Sequence, residues 1–257
     1  MKALVTGGTS GLGQGVAQQL AQTGWDVVIV GRNPIRGEQI ATQIGGTFAE
    51  ADLSLLAETA CLADRLTGPF DAVILCAGAI FPDDQPLTEE GLEPTFALNY
   101  LSRFALSQAL LPKMTDNGRF IIVSGNGKHK NTPTDWAAPH TGQTAAFKAA
   151  LAVDLYASEL ARRVERIQVY TCYPGWVRTN LLQNAPLPTR LIFQLFGSPI
   201  EKGSAHLVRL TSETSAQVHW HKSKPMQFSP SLSTGDIIDS LWAYSEKIVA
   251  EKTAVHT

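Results

Sequence analysis

Short apolar, β-branched runs alternate along this chain with longer stretches in which apolar positions recur at helical spacing. The runs near Ala3–Thr6, Asp26–Val30, Thr47–Glu50, Ala72–Leu75, Arg119–Val123 and Gln168–Cys172, with a short seventh near Val218–Trp220, predict strands. Between them the spacing predicts helices over Gly13–Thr23, Arg36–Ile44, Leu53–Leu66, Glu89–Met114, Thr144–Arg163 and Gly203–Thr211, the fourth open to a break. Such alternation specifies an α/β fold, a doubly wound and mostly parallel sheet flanked by helices. With no internal repeat or low-complexity linker, residues 1–257 read as a single domain. Proline-containing stretches after Phe81, Asn131 and Ala185 fall where loops overhang the carboxyl edge of the sheet, the place where open α/β folds bind ligands.

Composition narrows the partner. With 44% hydrophobic and 17% charged residues, the 257-residue chain can bury a large core. Its formal charge of −2 comes from scattered acids and bases, so no nucleic-acid or anionic-membrane surface is indicated and a small molecule is the expected partner. Cys61, Cys76 and Cys172 sit in apolar contexts without metal-ligand spacing, so no metal is expected, and a reducing cytoplasm fits. "MKALVTGG" runs straight into a strand without an apolar leader, and no run approaches the roughly 18 residues of a membrane span. The expectation is a soluble cytoplasmic protein.

The first strand leads into "TGGTSGLG", with Gly7, Gly11 and Gly13 just before a helix. A tight turn, a close backbone approach to pyrophosphate and a helix N-terminus facing an anion each favour a residue without a side chain. At the first strand-to-helix junction this spacing points to a dinucleotide. Arg32 and Asn33, in "VVIVGRN", end the second strand about 20 residues further on, where an acid would bind a free ribose 2′-hydroxyl and an arginine a 2′-phosphate. NADP(H) is therefore favoured over NAD. Asp52, in "EADLS", suits either a hydrogen bond to the adenine amino group or a helix cap.

Together these segments resemble the short-chain dehydrogenase/reductase family, in particular its retinol-dehydrogenase-like branch. The resemblance spans nearly the whole chain: "TGGTSGLG", "ADLS", "CAGAI", "NYLSRFAL", "GRFIIVSG", "FKAALAVDLYASELARR", "YPGWVRTNL", "GSPIEKGSAHLV" and "DSLWAYSEKIV" follow in family order. It implies a seven-stranded Rossmann sheet and hydride transfer between NAD(P)H and a carbonyl or alcohol. The cofactor positions it carries over are Gly7, Thr9, Ser10, Gly11, Leu12, Gly13, Arg32, Asn33, Asp52, Leu53, Cys76, Ala77, Gly78, Asn99, Lys148, Pro174, Gly175, Val177 and Thr179. It also leaves homo-oligomerisation open, through the helices beginning near Glu89 and Thr144.

The family's proton chemistry uses an Asn, Ser, Tyr, Lys tetrad, in which a phenol of ordinary pKa about 10 is brought toward neutrality by the lysine and the cofactor. Asn99 matches the asparagine and Lys148 the lysine, which also binds the nicotinamide ribose. The tyrosine position, one turn earlier, holds Thr144. Counting from Gly118 puts Gly125 at the serine position and Ser124 one residue early, pointing the other way unless a bulge restores it. An aliphatic hydroxyl is a far weaker acid than a phenol, and a lost oxyanion donor costs about 100- to 1,000-fold in rate. His140 stands one helical turn before Thr144 as a substitute acid, with Tyr173, His129 and Lys128 further candidates; Tyr100 faces away from Asn99.

Three functions follow. The first is an atypical NADP-dependent oxidoreductase with a rebuilt proton relay. The second is a non-redox cyclase, isomerase or dehydratase in a biosynthetic pathway, working by proximity. The third is a non-catalytic nucleotide-binding protein. Residues 182–200 resemble the family's variable lid, and Leu191, Ile192, Phe193, Leu195 and Phe196, with Trp136 and Trp176, argue for an apolar ligand.

Overall fold

The computed structural model describes residues 1–129, 131–179, 181, 195–227 and 235–254. The strands are β1 (Lys2–Thr6), β2 (Asp26–Gly31), β3 (Thr47–Glu50), β4 (Phe70–Leu75), β5 (Met114–Val123), β6 (Gln168–Tyr173), β7 (His219–His221) and β8 (Lys224–Pro225). They form one sheet in the order β3-β2-β1-β4-β5-β6-β7-β8, in which β8 alone runs antiparallel to its neighbour. This is the expected seven-stranded parallel sheet extended by a two-residue edge strand. The order reverses between β1 and β4, which opens a crevice at their carboxyl ends.

Both faces of the central strands are buried, and period-two alternation sorts their residues between the two sides. Leu4, Val28, Val73, Phe120 and Ile122 face one core, covered by helices α3 (Leu56–Arg65), α5 (Ser102–Leu110) and α6 (Gly142–Arg163). Ala3, Val5, Ile29, Ile74 and Ile121 face the other, covered by α1 (Gly11–Gln22), α2 (Pro34–Ile44) and a seventh helix, α7 (Ile200–Leu210). The helix expected over Glu89–Met114 is broken. It starts as a single turn, α4 (Pro94–Phe96), because Pro94 suits a first helical position and Glu93 caps the Thr95 and Phe96 amides. A π-helical turn (Ala97–Leu101) and α5 follow, and Met114 belongs to β5.

"DSLWAYSEKIV" lies in a C-terminal helix, α8 (Gly235–Thr253), which the hydrophobic spacing had not singled out as an element. Its Trp242 packs against Phe104 and Tyr156 at ring separations of 5.4 and 5.6 Å. Its Ser245 Oγ meets the buried Tyr100 hydroxyl at 2.7 Å, confirming that Tyr100 faces the core. Among the described residues no helix is long and apolar enough to cross a membrane.

Gly13 is the tightest point of the first crossover. A Cβ there would stand 2.4 Å from the Gly7 carbonyl oxygen. Gly13→Ala should therefore lower stability by about 1–3 kcal/mol through overpacking. Urea denaturation should show a reduced midpoint with an unchanged slope.

Candidate functional site

The crevice is assembled from four loop ends around the glycine turn. Gly7 takes a left-handed φ of 66° and lies so close to the end of β4 that a Cβ would meet the Ala77 Cα at 2.9 Å. The Thr6 hydroxyl accepts a bond from the Ala77 amide at 3.1 Å, fastening β1 to that loop. Thr9 packs on Gly31, Thr179 lies 3.3 Å from where a Gly11 Cβ would stand, and Leu12 and Val177 both rest on Gly203. Ser10 precedes α1 without a side-chain cap, and no acid occupies the first turn. The first-turn amides of this 12-residue helix thus have no carboxylate competing with an anion. A cradle that tolerates no Cβ, leading into an uncapped helix, fits a dinucleotide.

At the end of β2, Arg32 is 61% exposed and its guanidinium stands 3.6 Å from Asp52. Asp52 also accepts bonds from the Ser54 amide and hydroxyl at 2.9 and 2.7 Å, a local turn rather than a helix cap: α3 begins at Leu56, and its Leu56 and Ala57 amides are held by Glu90 at 2.7 and 2.8 Å. Asn33 caps α2 through the Arg36 amide at 2.9 Å, which takes up its side-chain oxygen. Leu53 gives its side chain to the core. Burial pushes the Cys76 thiol up to about 12, which makes it a poor nucleophile.

Asn99 sits in the π-turn, clasping the backbone of Ala79: its Nδ2 donates to the carbonyl at 2.8 Å and its Oδ1 accepts from the amide at 3.0 Å. One turn later stands Arg103, a site residue that sequence reasoning missed. Its guanidinium donates to the carbonyls of Ala77, at 2.7 Å, and of Val123, bridging the ends of β4 and β5. Burial lowers its pKa to about 10. The available signal was the Asn-x-x-x-Arg spacing, which puts both residues on one helix face.

The other expected site residues separate. Ser124 turns away from the crevice and donates to Asp154 at 2.6 Å, so no bulge restores it. The Gly125 position instead looks at Ala150, whose Cβ would be 3.1 Å from a Gly125 Cβ. The face of α6 that meets the end of β5 therefore carries Ala146, Ala150 and Asp154, each four residues apart. Lys148 lies about 200° from Ala150 around the helix. Its ammonium donates to the carbonyls of Trp136 and Ala138 at 3.1 and 2.7 Å and sits 5.0 Å from the Phe96 ring centre. This corrects the expectation that Lys148 points toward a nicotinamide ribose. A lysine and a tyrosine acting with a group at Gly125 would have to stand at 150 and 146, and both are alanine.

Thr144 is exposed, and His140 lines the cavity that Lys148 faces. Lys128 is exposed, and Tyr173 is half-buried with its ring 5.2 Å from that of His221. His129 is buried and donates to Asp154 at 2.7 Å. His219 binds Thr171 and Ser158 at 2.8 Å each and approaches Asp154 to 3.7 Å. Of the expected lid, residues 182–194 lie outside the described residues. Pro174 and Gly175 occupy the loop after β6, Gly175 with φ 81° against the Lys222 side chain.

A doubly wound sheet with a glycine cradle at its switch point is the architecture of dinucleotide-binding α/β proteins. Residues 1–188 match the short chain dehydrogenase family, to which this chain belongs. It is 33% identical over 207 residues to a Streptomyces lividans protein called "Probable oxidoreductase", covering 75% of this chain and 69% of the relative. It is 28% identical to Mus musculus retinol dehydrogenase 14, over 96% of this chain and 85% of the relative. A short chain dehydrogenase of Escherichia coli CFT073, solved in complex with NADPH, superposes with a TM-score of 0.70 at 22% identity, over 87% of this chain and 96% of that one.

Burial alone would raise the Asp154 pKa, but the hydrogen bond from His129, the approach of His219 and the bond from Ser124 together hold it below the ordinary carboxylate value. Because the folded-state pKa is depressed, the associated stability is present above the unfolded value near 4 and is lost as pH falls through the folded one. Asp154→Asn should cost about 3–5 kcal/mol at neutral pH, since it breaks a buried pair from one side. Denaturation from pH 7 downward should show the parent losing stability below about pH 4 and the variant losing less over the same range, the remainder coming from other depressed carboxylates such as Glu159 and Glu213.

Proposed function

We propose that the protein is an NADP-dependent oxidoreductase acting on a carbonyl or alcohol of an apolar small molecule. The observation that carries this reading is Arg32, exposed beside Asp52 at the end of β2, within the crevice built around the glycine cradle. There it can pair with a ribose 2′-phosphate. The E. coli structure with NADPH supports the same choice.

In this reading the amides of the glycine turn and the start of α1 receive the pyrophosphate. Asp52 and the backbone of Leu53 flank the adenine, and the Cys76–Gly78 backbone lines the floor. Asn99 and the loop from Pro174 to Thr179 hold the nicotinamide end. Bound NADP(H) supplies or accepts hydride at the substrate carbon. Asn99, fixed by Ala79, holds a polar group at the edge of the crevice, and Arg103 locks the carbonyls beneath it. Gly125 and Ala150 bring no donor to the substrate oxygen, so its proton comes from water. Each missing donor costs about 100- to 1,000-fold in rate. Lys148, His140 and Thr144 are left out because none of them faces this crevice. Trp176, 49% exposed, and Leu195 and Phe196, each 75% exposed, offer apolar surface that supports an apolar substrate.

Titration should show NADPH binding more tightly than NADH. Arg32→Ala should weaken NADPH about 10- to 100-fold, the equivalent of one charge-assisted bond, while leaving NADH unchanged. Equal affinity for the two cofactors would refute the NADP assignment. Substrate turnover without a change in NADPH absorbance would move the protein to the non-redox class.

A further inference from the structure

Lys148 faces a cavity of about 240 Å³ on the side of α6 away from Gly125. Leu92, Phe96, Leu101, Trp136 and Tyr244 form its apolar walls, and Leu87 and Pro139 at its rim are exposed, so it communicates with solvent. Ordinary ligand sites run to roughly 300–1,000 Å³, so this one suits a smaller molecule.

The lysine is 2% exposed, and among the described residues no carboxylate lies within ion-pairing distance of it. Both Glu93 oxygens are taken by the Thr95 and Phe96 amides, and Asp135 accepts from the Ala137 and Ala138 amides. Those two acids act on the amine through space, while His140 and Tyr244 are the other titratable groups on the lining. Burial nevertheless brings the ammonium down to about 8, against the opposing pull of Asp135 and Glu93.

A neutral amine has two N–H groups, and two carbonyls, those of Trp136 and Ala138, are in place to accept them. Its lone pair is then left for an electrophile. The surrounding acids disfavour an anionic ligand, and the walls disfavour a polar one. We propose that this cavity binds a small apolar aldehyde as an imine on Lys148 Nζ. The lone pair attacks the carbonyl carbon to form the C–N bond, and the oxygen takes up a proton to give a carbinolamine. The C–O bond then breaks, and the oxygen leaves as water with the second amine proton. Amine and aldehyde thus give imine and water with no oxidant or reductant. The neutral imine then takes up one proton from solvent, and the N–H so formed donates to the Ala138 carbonyl while Glu93 and Asp135 balance its charge.

The test is reductive trapping on the whole 257-residue chain without cofactor, which separates it from the NADP reading. Benzaldehyde and sodium cyanoborohydride are applied at about pH 7.5, where an amine of pKa near 8 has roughly 100-fold more free base than an ordinary lysine. Peptide mapping should find one benzyl group on Lys148, formed at least ~10-fold faster than on the exposed Lys202 and Lys247. The rate should saturate with benzaldehyde and fall when toluene competes for the cavity, and Lys148→Met should remove the fast adduct. Labelling of Lys148 no faster than Lys202 and Lys247, or no effect of toluene, would overturn the proposal. Because selectivity and competition are read on the unaltered chain, a variant that failed to fold would not blur the result.

Discussion

The rotation of α6 about its own axis is the constraint on which the rest of this site depends. Two buried polar anchors fix it. Asp154, fully buried, gathers Ser124 and His129 from beyond β5 and faces His219 of β7. On the opposite side the Tyr156 hydroxyl meets Ser107 at 2.6 Å and Gln108 at 2.9 Å on α5. Each would leave an unsatisfied buried group if the helix turned by one residue, a penalty of about 1–3 kcal/mol for each neutral partner. With that rotation set, alanines meet the end of β5, and Lys148 is carried to the far side.

Charge is distributed across the site by the same logic. At the switch point, the described residues contribute one deeply buried cation, Arg103, whose two terminal nitrogens donate to backbone carbonyls in place of a carboxylate while its Nε has no hydrogen-bond partner. Its neighbour Cys76 stays a thiol, and Asn99 spends its amide on Ala79. The crevice is thus firm in its backbone and poor in ionisable side chains at the point where a substrate oxygen would lie.

Much of the fold was legible in the chain. The expected strands appear within about two residues of their places, except that β5 begins five residues earlier at Met114; the central ones were legible because parallel strands buried on both faces need continuous apolar runs. The glycine turn was legible because close backbone contacts exclude every other residue: Gly13 abuts the Gly7 carbonyl, and Gly7 abuts Ala77. The break at Pro94 and the Ser124 orientation also follow from local rules, proline at a helix start and alternation along a strand. Arg103 was harder to see, since nothing local shows that an arginine amid apolar residues finds its acceptors on two separate strands.

By itself, then, the sequence determined the class of fold, the glycine turn at its switch point and the positive charge of Arg32 after β2. These rest on periodicity and on steric limits that act between near neighbours. Tertiary structure alone decided which face of α6 meets the crevice. A motif spacing places residues along a helix, whereas its rotation is settled by distant partners, here Ser124, His129, Ser107 and Gln108. That is why one lysine can match a family pattern by count and still have its ammonium held by the carbonyls of Trp136 and Ala138.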